Sequence, residues 1–178
     1  MSTIAENHAY WRNIWLWTCF SLGAVNSYYY YNQSLYAPNT QLLLLPVIFT
    51  AYISWDCYKM VTVAVLYRLD LLIHHFVCYI SYVYIARHNI WLFASIVVTC
   101  ENVSLFNYWL STPWLLKYKL FVILCYRIPF WLFFMYVPCV VDEWKDHAHF
   151  LWTGTTFFLC YDLFTIQKII KNKLLYLV

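Results

Sequence analysis

The chain has 178 residues, of which 64% are hydrophobic, 23% aromatic and only 11% charged, and its formal net charge is +3. That composition has too little polar surface to cover a soluble globule of this size, so a water-soluble enzyme or a nucleic-acid-binding domain is excluded and an all-α, polytopic membrane protein is expected. Two glycines and no Ser-, Gln- or Pro-rich tract leave no flexible linker, and the length fits one compact domain.

The first ten residues include Glu6 and His8 and lack a basic region ahead of a short apolar core, so a cleaved signal peptide is not expected and the first helix inserts uncut. Six runs are long enough to cross a hydrocarbon core of about 30 Å as helices: 11–31, 42–66, 69–86, 90–110, 118–141 and 148–168. Turn-like breaks separate them at Ala37-Pro38-Asn39, Tyr67-Arg68-Leu69-Asp70, Arg87-His88-Asn89, Ser111-Thr112-Pro113 and the charged stretch Asp142 to Asp146. Residues 1–41 thus form an N-terminal segment with the first transmembrane helix, 42–170 a core and 171–178 a basic tail. Tyr28 to Tyr31 close the first helix as interface anchors, and Asn32-Gln33-Ser34 is a glycosylation sequon whose use reports topology. Pro46 lies near the start of the second run, and Pro129 and Pro138 inside the fifth, where a kink is expected. The seven cysteines stand singly, without a Cys-x-x-Cys pair, and read as buried small hydrophobes.

With both termini in the cytosol, Arg12, Arg68, Lys117, Lys119, Lys168, Lys171 and Lys173 fall on the cytosolic side, against Arg87 and Lys145 opposite. This bias orients the chain and turns the acidic cluster Asp142, Glu143 and Asp146 towards the lumen or exterior.

Ionisable residues inside the apolar runs carry the functional signal: Asp56, Lys59, His74, His75, Glu101, Arg127 and Asp162. A charge at the centre of a spanning helix costs about 2.5–3.5 kcal/mol on insertion scales, so such groups are paired or used. At the helical rise, all of them lie roughly 8–15 Å from the cytosolic ends of alternating helices, in one polar layer. Asp56 and Lys59 share a helical face and are positioned to pair locally, which leaves Arg127 for Glu101 or Asp162. A buried ion-pair network would account for these charges, but not for the adjacent His74 and His75, whose rings point about 100° apart on a helix. No metal centre is expected, because His8, His88, His147 and His149 fall outside the layer and His74, His75 and Glu101 lack zinc-ligand spacing.

The segments Ala51-Tyr52-Ile53-Ser54-Trp55-Asp56, Ile73-His74-His75, Glu101-Asn102-Val103-Ser104-Leu105-Phe106-Asn107 and Arg127-Ile128-Pro129 resemble, in order and spacing, the landmarks of the TLC-domain family. That family includes ceramide synthases, translocating-chain-associated proteins and domain-only members, and the resemblance is nearest to the last. It implies a bundle of at least six helices in an endoplasmic-reticulum-type membrane, around a cavity open to lipid and cytosol. His74 and His75 match the pair that takes part, in ceramide synthases, in acyl transfer from acyl-CoA to a sphingoid amine. At the spacing where ceramide synthases carry His-Asp-x-Ser-Asp, this chain has Glu101-Asn102-Val103-Ser104-Leu105 and keeps only the Ser.

Three functions follow as expectations. The first is lipid homeostasis, with a membrane lipid bound or modified in the polar cavity and His74, His75 and Glu101 as the reactive groups, supported by Tyr52, Asp56, Lys59, Ser104, Asn107, Arg127 and Asp162. The second is an acyltransferase with acyl-CoA as co-substrate and a histidine as general base. The third is a structural membrane protein without catalysis. No other cofactor and no nucleic-acid partner is expected, and a homodimer fits the ample aromatic surface.

Overall fold

An apolar chain with few Gly and Pro satisfies its own N–H and C=O groups most readily as helices. The computed structural model describes residues 2–30, 40–109 and 112–175, with side chains at 4–28, 44–109 and 113–171. Among these residues the chain is all-α, with no strand. The Asn32 sequon, Tyr31 and the Ala37-Pro38-Asn39 break lie outside the described residues. The chain forms two compact units, Met1–Trp109 and Leu110–Val178.

The first unit contains α1 (Ser2–Tyr30), α2 (Thr40–Thr62), a 3₁₀ turn at Ala64–Leu66, α3 (Leu69–His88) and α4 (Trp91–Val98), which tightens into a 3₁₀ segment at Thr99–Ser104. Helix α1 packs on α4, the 3₁₀ segment and α2, while α2 also meets α3 and α4. Leu16, Cys19, Leu45, Phe49, Ala94 and Val98 are buried in this core. Helix α3 ends where the sequence puts a break. Asn89 adopts the left-handed conformation at φ 57°, Ile90 N–H reaches back to Ile85 O and Asn89 N–H to Ala86 O, and the buried Ile85 and Ile90 complete a Schellman cap.

In the second unit, α5 (Thr112–Val122) continues through a π-helical turn at Ile123–Arg127 into α6 (Ile128–Val140). Ile128 N–H bonds to Ile123 O, five residues back. The wide turn falls immediately ahead of Pro129, which has no N–H and whose ring would crowd a carbonyl in the preceding turn. A 3₁₀ segment, Asp142–His147, leads into α7 (Ala148–Leu175), which packs on α6 and carries Lys171 and Lys173 on its last turns. In the exposed acidic segment, Lys145 Nζ lies 2.6 Å from Asp142 Oδ1, and this hydrogen bond holds the Asp142 carboxyl below its ordinary value.

Two of the six expected spans are long and apolar enough to cross a membrane, Leu69–His88 with mean hydropathy 1.4 and Pro113–Val140 with 1.9. The expected run 90–110 is not one helix: Trp91–Ser104 is apolar but short, and turns follow it. Helices α1, α2 and α7 have spanning length, with 29, 23 and 28 residues. They interleave Asn, His, Arg, Asp, Lys or Thr with their Trp and Tyr, and this lowers their hydropathy.

Gly23 marks the close approach of α1 and α4, where an added Cβ would meet Val98 Cγ1 and lie 2.8 Å from Ser95 O. Gly154 has nothing within 4 Å of such a Cβ. Gly23→Ala is therefore expected to destabilise the protein by about 1–3 kcal/mol, and Gly154→Ala to stabilise it by up to about 1 kcal/mol. Thermal unfolding in detergent checks both signs.

Candidate functional site

Asp56 is wholly buried on α2, and two other helices bring side chains to it. From α3, His75 Nε2 lies 2.8 Å from Asp56 Oδ2 in a hydrogen bond. From α1, Arg12 Nε lies 3.4 Å from the same oxygen, and His8 Nε2 lies 2.8 Å from Oδ1. The His8 contact is an ion-pair distance off the hydrogen-bonding axis. His8 and Arg12 are one turn apart and share a helical face, so a single stripe of α1 delivers both. Tyr52, one turn before Asp56, accepts a hydrogen bond from Arg12 Nε at 3.3 Å and meets the His75 ring edge-on at 5.9 Å. His8 stacks on Trp55 with centroids 5.1 Å apart.

The 100° step between neighbours on α3 sends His74 elsewhere. Its Nε2 lies 3.4 Å from Glu101 Oε1 and 3.6 Å from Cys78 Sγ, one turn along α3. Glu101 sits in the 3₁₀ segment, which α1 fixes in place: Trp17 Nε1 donates to Leu105 O at 3.1 Å, and the buried Asn13 amide donates to that carbonyl while accepting from Trp109 Nε1 at 2.7 Å. Ser104 and Asn107 belong to the same turn, with Asn107 N–H on Ser104 O at 3.2 Å. Asn107 Oδ1 is buried with no hydrogen-bond partner among the described residues.

In the second unit, Arg127 Nε donates to Asp162 Oδ2 at 2.9 Å, and Trp131 Nε1 donates to the same oxygen at 2.8 Å. Both charged side chains are 2% exposed. The π turn presents Arg127 inward just where the helix must accommodate Pro129.

The expected residues therefore sort into Tyr52, Asp56 and His75 in one cluster, His74 and Glu101 in its neighbour, and Arg127 with Asp162. Lys59 departs from expectation. It makes no ion pair with Asp56 among the described residues and instead lines a groove with His8, because the Asp56 oxygens face α1 and α3. Three site residues escaped the sequence reading. His8 was expected outside the polar layer and Arg12 served only as an orientation marker; their i, i+4 spacing was the available signal. Cys78 read as a small hydrophobe, and its i+4 spacing from His74 was the available signal. Among the described residues, the donor atoms of His74, Cys78 and Glu101 all lie within 4.8 Å of one another, so the group placed to hold a metal is these three residues rather than the His pair. Of the cysteines expected to be buried, Cys19, Cys78 and Cys100 are, while Cys125, Cys139 and Cys160 are exposed. A helix that is apolar all round gives no sign of which face is covered.

Comparison with family models, with curated proteins and with solved structures finds no match for this chain.

Breaking the second-unit pair separates burial from pairing. Arg127→Met leaves Asp162 buried without its cation and is expected to cost about 3–5 kcal/mol. Adding Asp162→Asn removes the charge while keeping an acceptor for Trp131, and is expected to recover most of that loss. Lys59→Met, outside any described ion pair, is expected to change stability by less than about 0.5 kcal/mol. Thermal unfolding of the full chain in detergent measures all three.

Proposed function

We propose that the chain is a multi-pass membrane protein of the TLC-domain type, in an endoplasmic-reticulum-type membrane with cytosolic termini. It holds a membrane lipid at a polar site inside an apolar bundle and binds or modifies it in lipid homeostasis. One observation carries this reading, the inverted distribution of polarity across α3. His74, His75 and Cys78 are buried, while Ile73, Phe76, Tyr79, Ile80 and Val83 are exposed. The same inversion holds on α2, with Asp56 buried and Val47, Tyr58 and Val61 outward, while α6 is apolar on both sides, with Trp131 and Phe134 buried and Leu132, Phe133, Tyr136 and Val140 outward. Large apolar residues on the outer faces of α2, α3 and α6 suit a hydrocarbon solvent and would aggregate in water.

A groove of about 550 Å³ beside the Asp56 cluster supports a lipid ligand. His8 belongs to both, Lys59 offers an ammonium for a phosphate-bearing headgroup, and Trp11, Trp15 and Trp55 provide apolar wall. Its size fits a headgroup with the first carbons of its chains, with the remainder in the surrounding lipid.

A second reading, acyl transfer from acyl-CoA, is favoured by the His75–Asp56 contact. A carboxylate 2.8 Å from Nε2 fixes the imidazole, and Nδ1 has no hydrogen-bond partner among the described residues. Such a ring can take the proton from an amine or hydroxyl as that group attacks the thioester carbonyl and the CoA thiolate leaves.

Mass spectrometry of lipids and CoA species co-purifying with the full chain in mild detergent tests both readings. A phosphate-bearing lipid enriched over the host membrane is expected, with Lys59→Met lowering its retention by about fivefold or more, equivalent to about 1 kcal/mol. An acylated product that disappears in folded His75→Ala supports transfer. A lipid profile equal to the bulk membrane in all variants would overturn the lipid reading.

A further inference from the structure

His74 and Cys78 stand one turn apart on α3, and Glu101 approaches them from the 3₁₀ segment. His74 Nε2 is 3.6 Å from Cys78 Sγ and 3.4 Å from Glu101 Oε1. Zinc with bonds of about 2.0–2.1 Å to nitrogen and oxygen and about 2.3 Å to sulfur requires, in a tetrahedral shell, ligand separations of roughly 3.3–3.6 Å. The two separations from His74 already have those lengths, and all three donor atoms fit within 4.8 Å.

Charge balance points the same way. One thiolate, one carboxylate and one neutral imidazole around a divalent cation sum to zero, which suits a site among apolar helices where net charge is costly. His74 and Cys78 are 5% and 6% exposed, and the Glu101 side chain is 14% exposed. Glu101 thus marks the accessible side, from which a fourth ligand enters. Three protein ligands with one open position is the arrangement of a zinc ion that activates a bound water or substrate oxygen. His75 lies outside this donor set: among the described residues the atoms within 4.8 Å of one another come from His74, Cys78 and Glu101, and the His75 Nε2 is turned to Asp56.

We propose that His74, Cys78 and Glu101 form a three-ligand zinc site. On binding, the Cys78 thiol releases its proton to solvent and coordinates as the thiolate, and Glu101 coordinates as the carboxylate. The site is independent of which lipid, if any, occupies the groove at Lys59.

The test uses the full chain purified in detergent. Elemental analysis is expected to give about one zinc per chain, and cobalt substitution to give a thiolate-to-cobalt charge-transfer band with tetrahedral ligand-field bands. Glu101→Gln and Cys78→Ala are expected to weaken zinc binding by at least about tenfold, since even losing a residue behind a ligand costs that much. Cys57→Ala, a cysteine on α2 outside the donor set, is expected to retain zinc at the wild-type level. Cys78→His, which keeps a ligand while removing the sulfur, serves if the smaller side chain fails to fold: metal is expected to stay and the charge-transfer band to vanish. Less than about a tenth of a zinc per folded wild-type chain, with no thiolate band on adding cobalt, would overturn the site. So would unchanged zinc affinity in folded Cys78→Ala, or a thiolate band that persists in Cys78→His.

Discussion

The first unit depends on how a single wholly buried carboxylate is compensated. Asp56 has no access to water, and an isolated carboxylate in such a place is prohibitively costly. Its position is tolerable because Arg12, His8 and His75 reach it from α1 and α3. The partners come from α1, which supplies His8 and Arg12, and from α3, which supplies His75, so the compensation exists only when α1, α2 and α3 are assembled. A polar junction of this kind fixes which helices meet and in what register, because another pairing would leave the carboxylate uncompensated. The second unit repeats the arrangement with Arg127, Asp162 and Trp131.

The same junction gives α3 two chemically different sides. Successive residues, His74 and His75, are drawn to Glu101 and Asp56 by the helical step between them. On the His75 side the surroundings are hydrogen-bonding and cationic, with Arg12 beside the carboxylate and donating to Tyr52. On the His74 side they are a thiol and a carboxylate, a donor set with the softness and charge of a metal shell. Neither side needs the other for its geometry, since Asp56 comes from α2 and Glu101 from the 3₁₀ segment after α4.

Irregular backbone is concentrated where polar residues must be aimed. Helix α4 tightens at Thr99, and the 3₁₀ turns that follow carry Glu101, Ser104 and Asn107, held by Asn13 and Trp17 from α1. In α5–α6 a wide turn precedes Pro129 and delivers Arg127 to Asp162. Buried backbone that leaves the α-helical pattern needs other partners, and in the first case donors from α1 can be named for the Leu105 carbonyl.

Helical class, an apolar exterior and the identity of most interior ionisable residues are local properties, and the chain carries them openly. The end of α3 was legible because Asn89 tolerates the left-handed conformation and Ile90 supplies the cap's apolar contact. Asp56, His74, His75, Glu101, Arg127 and Asp162 stood out because a titratable group in an apolar run is costly and rare. The run from residue 90 misled because apolarity does not distinguish an α-helix from a 3₁₀ segment. The cysteines misled because helices apolar all round carry no facial signal. Pairing was beyond the sequence altogether. Asp56 and Lys59 share a face in any helix, yet the carboxylate chose Arg12 and His8 from α1 and His75 from α3. Such partners are set by which helices pack and at what rotation, a long-range outcome that no local spacing encodes.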